Sequence, residues 1–357
     1  MKKNNFPWDA YSDQPHILKR SLKKVLRKGH ALEYFRLMAT NSIYFPYLFF
    51  KFLLKSLHSN TISDKSEPIH STYFYGLCVN LDKGDTQYAL VEELGVKSLQ
   101  IRVFLNDMKH IDEYVAFSKK FGEDKEILIT IIQDREHIEN HELLAKDIKT
   151  VFQKFEGITN EFMIGNAINR IKWAFVSMEE YLAFYEVIQK VRDEAFSPIK
   201  LIGSSVIDFE YHFTIRTLFH NYKIKYDKVA SLLYVDRRGS PYATQMGIFD
   251  FKNKIEFLDT IVTSSSKCEN SIYLTEANWP LSGTAPYAPT SEKECVSETL
   301  YEQYMLEYFD IALKSQKIEK IYWHQLIATG YGLVDNRNGE IRKTPAFYSF
   351  KKLLSTA

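Results

Sequence analysis

The sequence contains few cysteines, and they form no recognisable pattern. Only three occur in 357 residues, Cys78, Cys268 and Cys295, and each lies far from the other two. They form neither a Cys-x-x-Cys pair nor the spacing of a zinc site, and an odd number fits a disulfide framework poorly. We therefore expect a protein of a reduced compartment, the cytoplasm, that has no metal site and uses no cofactor.

Long apolar runs are missing as well. Lys2 and Lys3 are followed by polar residues and not by an apolar segment, so no secretory signal is expected. The most apolar early stretch, residues 43–54, is interrupted by Pro46 and Lys51. Because it is too short to cross a bilayer as a helix, the sequence predicts no membrane-spanning segment.

Glycine is scarce where a phosphate-binding loop would need it. The chain has 14 glycines, and residues 76–80, which follow the start of the first predicted strand, match neither Gly-x-Gly-x-x-Gly nor a Walker loop. This absence argues against a doubly wound fold that binds nucleotides.

Neither sign of charge dominates, since 46 Lys and Arg stand against 45 Asp and Glu. The balance is uneven along the chain, however, because residues 1–60 contain eleven Lys and Arg but three acids. Residues 16–28 combine six basic with five apolar residues at helical spacing, and an aromatic run follows at 44–54.

Two structures are compatible with this basic segment. One is a helix that lies on an anionic membrane surface through residues 16–55, which would place a cytoplasmic protein at the inner face of the membrane. The other is a set of helices packed on the main domain with a solvated basic face. Nucleic acid is not expected as a partner, because no recognised binding motif accompanies the charge.

The rest of the chain alternates short apolar runs with longer amphipathic segments. Eight such runs favour a single (β/α)8 barrel, an α/β fold, over the competing doubly wound open sheet. We divide the chain into a basic, aromatic and helical N-terminal extension at 1–65 and a barrel at 66–357. The predicted strands are 73–79, 98–104, 127–132, 161–164, 201–206, 229–234, 271–274 and 321–324.

In such a barrel, chemistry takes place at the carboxyl ends of the strands. Those ends are rich in polar and aromatic side chains, which suit sugar recognition because ring faces stack on sugar C–H surfaces and amides and carboxylates bond hydroxyls. A position in the core is the alternative for each aromatic residue. The candidate sugar-contacting residues are Arg102, Asn166, Asn169, Tyr234, Asp236, Trp279, Trp323 and His324.

Several of these segments resemble clan A glycoside hydrolases, which are retaining (β/α)8 glycosidases. Residues 94–102 are similar to the second strand of that family, and residues 272–280 to its seventh. Trp323 matches an aromatic of its eighth strand, and residues 332–348 its closing loop and last helix. The resemblance implies that Glu276 is the nucleophile, that Arg102 positions it, and that Trp323 is a platform for the sugar.

The resemblance fails at the fourth strand. The family has Gly-Asn-Glu-Pro-Asn there, with the glutamate as acid/base, whereas this chain has Gly165-Asn166-Ala167-Ile168-Asn169. A retaining glycosidase uses two carboxyl groups, one to attack the anomeric carbon and one to protonate the leaving oxygen. The side chain of Ala167 can do neither, so Glu276 would act without the usual partner.

The leading functional prediction is a glycoside-hydrolase-like protein that acts on a cell-surface polysaccharide or on its lipid- or nucleotide-linked precursor. An activated donor is compatible with the missing acid, because the phosphate of a glycosyl phosphate can leave without a strong acid. The alternatives are a pseudoenzyme, that is, a non-catalytic sugar-binding or scaffold protein of polysaccharide biosynthesis, and a retaining glycosidase engineered from glutamate to alanine at position 167.

Overall fold

A computed structural model describes residues 6–58, 71–236 and 239–356. The described chain begins with a short antiparallel hairpin, in which Trp8 pairs with Pro15. Two helices follow the hairpin, and the second is 28 residues long. These elements are β1 (Trp8–Asp9), β2 (Gln14–Pro15), α1 (Arg20–Lys28) and α2 (Ala31–His58).

Eight parallel strands then close into a barrel. Each strand pairs with the next, and the last closes on the first, with Ile321 opposite Tyr75. The closed barrel confirms the predicted (β/α)8 fold, and every predicted strand overlaps an observed one. The barrel strands are β3 (Tyr75–Val79), β4 (Ser98–Phe104), β5 (Glu126–Ile132), β6 (Glu161–Ile164), β7 (Lys200–Ile207), β8 (Lys228–Leu232), β9 (Ile272–Ala277) and β10 (Lys320–Trp323).

Helices surround the barrel, and a two-stranded ribbon follows its last strand. The ribbon is formed by β11 (Val334–Asp335) and β12 (Arg342–Lys343). The helices are α3 (Ser71–Phe74), α4 (Thr86–Leu94), α5 (Ile111–Lys119), α6 (Arg135–Glu139), α7 (His141–Lys154), α8 (Met178–Ala195), α9 (Tyr211–Leu218), α10 (Phe251–Val262), α11 (Glu298–Ser315) and α12 (Pro345–Thr356).

The strands are continuous apolar runs because both of their faces are buried. In β5, every residue after Glu126 is buried, either inside the barrel or beneath the helices. Gly76 on β3 allows a close approach, since a side-chain carbon there would lie 2.5 Å from the ring of Tyr322. The resulting rigid barrel fixes the positions of the residues at its mouth.

The N-terminal extension packs on the barrel and shares its core. The carboxylate of Glu33 accepts two hydrogen bonds from the buried guanidinium of Arg216, at 2.8 and 2.9 Å. Tyr44 of α2 stacks on Phe219 with ring centroids 4.2 Å apart, and Phe52 is buried in the main core. Helices packed on the main domain are thus observed.

Two further predictions concern this extension. The predicted domain boundary between residues 65 and 66 lies outside the described residues. None of the helices in the described ranges has the length and apolar character required to cross a bilayer.

The hairpin lies across the barrel mouth, which the sequence did not indicate. Trp8 packs edge-on against Phe104 at the end of β4 and against Trp173 in the segment after β6. The turn between β1 and β2 places Asp13, with a φ of 51°, next to Arg102. Part of the predicted extension therefore belongs to the mouth of the barrel.

Candidate active site

A polar cleft of about 180 Å³ opens at the carboxyl ends of the barrel strands. Its walls come from six barrel strands or the segments that follow them, from the hairpin, and from the segment around residue 289. The lining residues are Ser12, Asp13, Gln14, Arg102, Arg170, Lys172, Trp173, Ile207, Asp208, Tyr234, Glu276, Asn278, Pro289, Thr290, His324 and Tyr331.

Glu276 and Tyr234 lie together in this cleft. Glu276 is near the end of β9, and Tyr234 follows β8, so the closure of the barrel makes them neighbours. The hydroxyl of Tyr234 donates a hydrogen bond to Oε1 of Glu276 over 2.7 Å. Glu276 is only partly buried, which leaves its carboxylate accessible from the cleft.

Arg102 is held by two partners that the sequence did not connect. Its Nε donates to Oδ1 of Asn80 over 2.9 Å, and its guanidinium forms an ion pair with Asp13. Asp13 also accepts a hydrogen bond from Gln325 over 3.0 Å and lies 3.9 Å from the ammonium of Lys83. Burial would raise the pKa of Asp13, but the charges of Arg102 and Lys83 outweigh burial and lower it.

His324 follows β10 and is buried at the base of the cleft. Its ring stacks on Tyr331 with centroids 5.7 Å apart. Burial lowers the pKa of His324 to about 4, against the opposing charge of Glu276. The imidazole is therefore neutral near pH 7, where it can offer one donor and one acceptor to a ligand.

The segment after β6 brings two cations to the cleft. Arg170 pairs with Asp208 over 2.5 Å and with Glu210 over 2.7 Å. Lys172 instead donates to the neutral Oε1 of Gln14 over 2.6 Å. Burial lowers the pKa of Lys172 to about 8, and the nearby charge of Glu276 partly opposes this effect.

Ala167, at the expected acid/base position, is fully buried and does not line the cleft. Its φ of 45° lies in the left-handed region. The methyl group belongs to an apolar cluster that includes Trp173, Met163 and Tyr234. The position thus provides neither a carboxyl group nor an open surface.

The two asparagines near Ala167 do not line the cleft either. The backbone N–H of Asn166 donates to Oε1 of Gln133 over 2.9 Å, and the residue is buried. The side chain of Asn169 donates to the carbonyl of Ile207 and to Glu210, while its oxygen accepts from the N–H of Ile207. Asn169 therefore joins the segment after β6 to the end of β7.

The two tryptophans predicted as sugar contacts are core residues, which corrects the sequence expectation. Trp279 and Trp323 stack on each other 5.9 Å apart and are 1% and 0% exposed. The indole N–H of Trp279 donates to the carbonyl of Gly239, and that of Trp323 to the hydroxyl of Tyr301. Neither ring has a face open to a ligand, because helix side chains cover the pair.

Asp236 faces a second polar cavity beside the cleft. This cavity has a volume of about 380 Å³ and shares Arg170, Asp208, Tyr234 and Thr290 with the cleft. Of the predicted residues, the structure thus brings Arg102, Tyr234, Glu276 and His324 together and places Asp236 next to them. Asp13, Arg170 and Lys172 also line the cleft, although the sequence did not predict them as site residues.

The sequence contains a signal for Arg170 and Lys172. Both follow directly after the segment in which the expected glutamate is missing, so positively charged side chains occur close to the position where an acidic one is expected. Asp13 had no such signal, because it reaches Arg102 only through the folded hairpin.

No family model matches the sequence, and no curated protein matches it. Solved structures do resemble it. A β-glucosidase from Thermotoga maritima in complex with glucoimidazole has a TM-score of 0.59 at 12% identity, over 81% of this chain and 99% of that one. The virulence factor SghA from Agrobacterium tumefaciens gives 0.59 at 10% identity, over 80% and 97%.

A GH39 β-xylosidase from Caulobacter crescentus gives 0.57 at 12% identity, over 81% of this chain and 72% of that one. The chain has the fold of these three proteins. The predicted resemblance to (β/α)8 glycosidases is confirmed at the level of the fold.

Proposed function

We propose that this protein acts on glycosidic bonds, with Glu276 as the nucleophile and without a conventional acid/base. The observation that carries the proposal is the Glu276 carboxylate at the end of a barrel strand, open to a polar cleft and oriented by the hydroxyl of Tyr234. A nucleophilic carboxylate must be correctly placed, and the hydrogen bond from Tyr234 fixes the orientation of the Glu276 carboxylate.

The pairing of Arg102 supports this role. Its charge is matched by Asp13, so it does not have to be neutralised by Glu276. Within the described residues, Glu276 has no cation at ion-pair distance, and its second oxygen can therefore face a substrate. Asn278 and His324 add hydrogen-bonding groups for sugar hydroxyls nearby.

We propose a carbohydrate of the cell surface, or its lipid- or nucleotide-linked precursor, as the substrate. The solved glycosidases of the same fold support a sugar in general, since one of them holds glucoimidazole. The missing acid at Ala167 favours a substrate whose leaving group departs without protonation.

The test is covalent trapping of Glu276. A panel of 2-deoxy-2-fluoroglycosyl fluorides with gluco, galacto, manno and xylo configurations is incubated with the full chain, and intact mass is measured. Fluoride leaves without an acid, so a glycosyl adduct on Glu276 is expected with one configuration. Glu276→Gln removes the adduct, whereas Glu292→Gln, a change outside the cleft, keeps it. The absence of any adduct on the wild-type chain would contradict the proposal.

A non-catalytic sugar-binding protein is the second candidate function, and the burial of Ala167 favours it. A binding protein needs no proton donor at that position, and its cleft would hold a sugar unchanged. In that case Glu276→Gln keeps the affinity for a sugar measured by calorimetry, and no configuration of the panel labels the wild-type chain.

We further propose that the protein binds an anionic membrane surface at the inner face of the membrane through residues 16–55. The outward side of α2 exposes large apolar side chains at intervals of mostly three or four residues, and Phe35 and Phe50 are 63% and 62% exposed. Helix α1 has no buried residue, and its positive charge is suited to anionic headgroups. The apolar residues on α2 are Leu32, Phe35, Met38, Ile43, Tyr47, Phe50, Leu53, Leu54 and Leu57.

Vesicle sedimentation tests this surface. The wild-type protein is expected to sediment with phosphatidylglycerol vesicles and to stay in solution with phosphatidylcholine vesicles. The double variant Phe35→Ser/Phe50→Ser loses binding, because burial of apolar area is removed. Tyr348→Ser, at an aromatic position on α12 that is 57% exposed, is the control and keeps binding. Equal sedimentation of the double variant and the wild type would exclude α2 as the contact surface.

A further inference from the structure

The segment after β6 is cationic where the two-carboxyl mechanism requires an acid. In that mechanism the acid stands opposite the nucleophile, about 5–5.5 Å away, and protonates the leaving oxygen. Here Ala167 is buried in an apolar cluster, while Lys172, five positions later, lines the same cleft as Glu276. This segment therefore brings an ammonium, and no carboxyl group, to the cleft that Glu276 lines.

Lys172 and Arg170 are not equivalent in this cleft. The guanidinium of Arg170 is already paired with Asp208 and Glu210. The ammonium of Lys172 donates to the neutral side chain of Gln14, and no carboxylate among the described residues lies within ion-pair distance of it. Partial burial removes water from this charge, so an anion that enters the cleft gains a strong, poorly screened partner.

A cation and a general acid assist different kinds of leaving group. An alkoxide leaves only when it is protonated, which a general acid provides. A phosphate ester leaves as an anion that is stable near neutral pH, since its second pKa is about 6, and needs a positive charge beside it. The arrangement of Glu276 and Lys172 fits the second case.

We propose that the cleft takes a glycosyl phosphodiester or glycosyl diphosphate ester, and that Lys172 contacts the phosphate that departs. This inference rests on the proposed role of Glu276. It narrows the substrate to a sugar joined to phosphate through its anomeric oxygen, with a nucleoside or a lipid on the other side.

The chemical step balances without an acid. An oxygen of Glu276 bonds to the anomeric carbon while the bond from that carbon to the phosphate oxygen breaks, and the electron pair of the broken bond leaves with the phosphate ester. The ammonium of Lys172 contacts the phosphate ester, on which the negative charge develops. Water then attacks the same carbon, the electron pair of the Glu276 ester bond returns to the carboxylate, and the water proton passes to the solvent.

The experiment measures binding of three diphosphates to the full chain by calorimetry at low salt. The probes are inorganic diphosphate, uridine diphosphate and geranyl diphosphate, which share the anion and differ in what is attached. Lys172→Gln is expected to weaken binding by about tenfold or more, since it removes one charge-assisted contact. Lys172→Arg keeps the charge and should restore most of the affinity.

The control and the comparison of probes follow from the structure. Lys120→Gln removes an exposed lysine that pairs with Asp85 away from the cleft, and should leave affinity unchanged. Tighter binding of uridine diphosphate than of inorganic diphosphate assigns a nucleoside donor, and tighter binding of geranyl diphosphate assigns a lipid donor. Equal affinities show that the diphosphate alone is recognised. Wild-type binding in Lys172→Gln, or no binding to the wild type at millimolar concentration, overturns the inference.

The trapping experiment separates this inference from the proposed function. A Glu276 adduct together with absent diphosphate binding retains the glycosidase-type nucleophile and rejects the phosphate substrate. Diphosphate binding that depends on Lys172, without any adduct, retains the anion site and rejects the nucleophile.

Discussion

Arg102 and Asp13 form a buried ion pair although they are 89 positions apart in the chain. Arg102 belongs to a barrel strand, and Asp13 to the hairpin that crosses the barrel mouth. The pair joins the N-terminal segment to the wall of the cleft, close to Glu276 and His324. The hairpin is therefore part of the candidate active site.

Asp13→Asn is expected to destabilise the fold. The substitution leaves the guanidinium of Arg102 buried with no opposite charge, and losing one partner of such a pair costs about 3 kcal/mol. Chemical denaturation of both proteins at pH 7 measures the difference in free energy of unfolding. Asp112→Asn, which breaks an exposed pair with Lys154, is the matched control and should cost under about 1 kcal/mol. Equal losses of unfolding free energy in the two variants would show that the buried ion pair contributes no more to stability than the exposed pair.

The same pair makes stability depend on pH in the acid range. The pKa of Asp13 is lower in the folded chain than its ordinary value of 3.8, because Arg102 and Lys83 outweigh the effect of burial. Its contribution is complete above that ordinary value and disappears as the pH falls through the lower folded pKa. The difference in unfolding free energy between wild type and Asp13→Asn should therefore shrink as the pH falls below 3.8. A constant difference over this range would contradict the ionised pair.

Tyr234→Phe is expected to slow the formation of the Glu276 adduct by about tenfold to a hundredfold. The change removes the hydroxyl that donates to Oε1 of Glu276 and leaves the ring in place. The rate is followed by intact mass with the fluoride that labels the wild-type chain. Tyr242→Phe, an exposed tyrosine, serves as the control. An unchanged rate in Tyr234→Phe would show that this hydrogen bond does not position the nucleophile.

Ala167→Glu and Ala167→Gln are both expected to reduce stability by about 1–3 kcal/mol, because each inserts a long polar side chain into a closed apolar cluster. Ala167 does not line the cleft, so the new carboxyl group does not reach a leaving oxygen, and neither variant is expected to hydrolyse a 4-nitrophenyl glycoside. Thermal unfolding and nitrophenol release measure the two effects. Hydrolysis by Ala167→Glu but not by Ala167→Gln would show instead that a carboxyl group at this position reaches the cleft and acts as an acid.

Binding of uridine diphosphate is expected to weaken as the pH rises from 7 to 9. Burial lowers the pKa of Lys172 to about 8, so the ammonium loses its proton in this interval, whereas an exposed lysine keeps it to about 10. The other charges that act on Lys172 are those of Glu276, Arg170, Lys23 and Asp208. Lys172→Arg should remove the pH dependence measured by calorimetry, and an unchanged slope would assign it to another group.

The barrel could be predicted because its signal is local. A strand that is buried on both faces must be apolar along its length, so β4 and β6 were predicted with the bounds that the structure has. Glu276 and Tyr234 were also found, since each follows or ends such a strand and the topology places all strand ends at one mouth.

The role of the aromatic residues could not be predicted in the same way. Trp279 and Trp323, like Tyr234, lie at or just after the end of a barrel strand. They are nevertheless buried against Tyr301 and Tyr308 of α11. The sequence gives the position along a strand, but the packing of the surrounding helices decides which side chains remain open to the cleft.

By itself, the sequence determined the alternation of strands and helices, the basic N-terminal segment, and the absence of an acid at Ala167, because these are properties of single residues and of their spacing. The tertiary structure alone decided that Asp13 neutralises Arg102, that Gln14 contacts Lys172, and that Ala167 is sealed from the cleft. Ion pairs and burial depend on distances between chain segments that only folding brings together. The missing acid at Ala167 already favoured an activated donor, but the charge of the mouth, and with it the residue proposed to contact the phosphate, became apparent only in the folded chain.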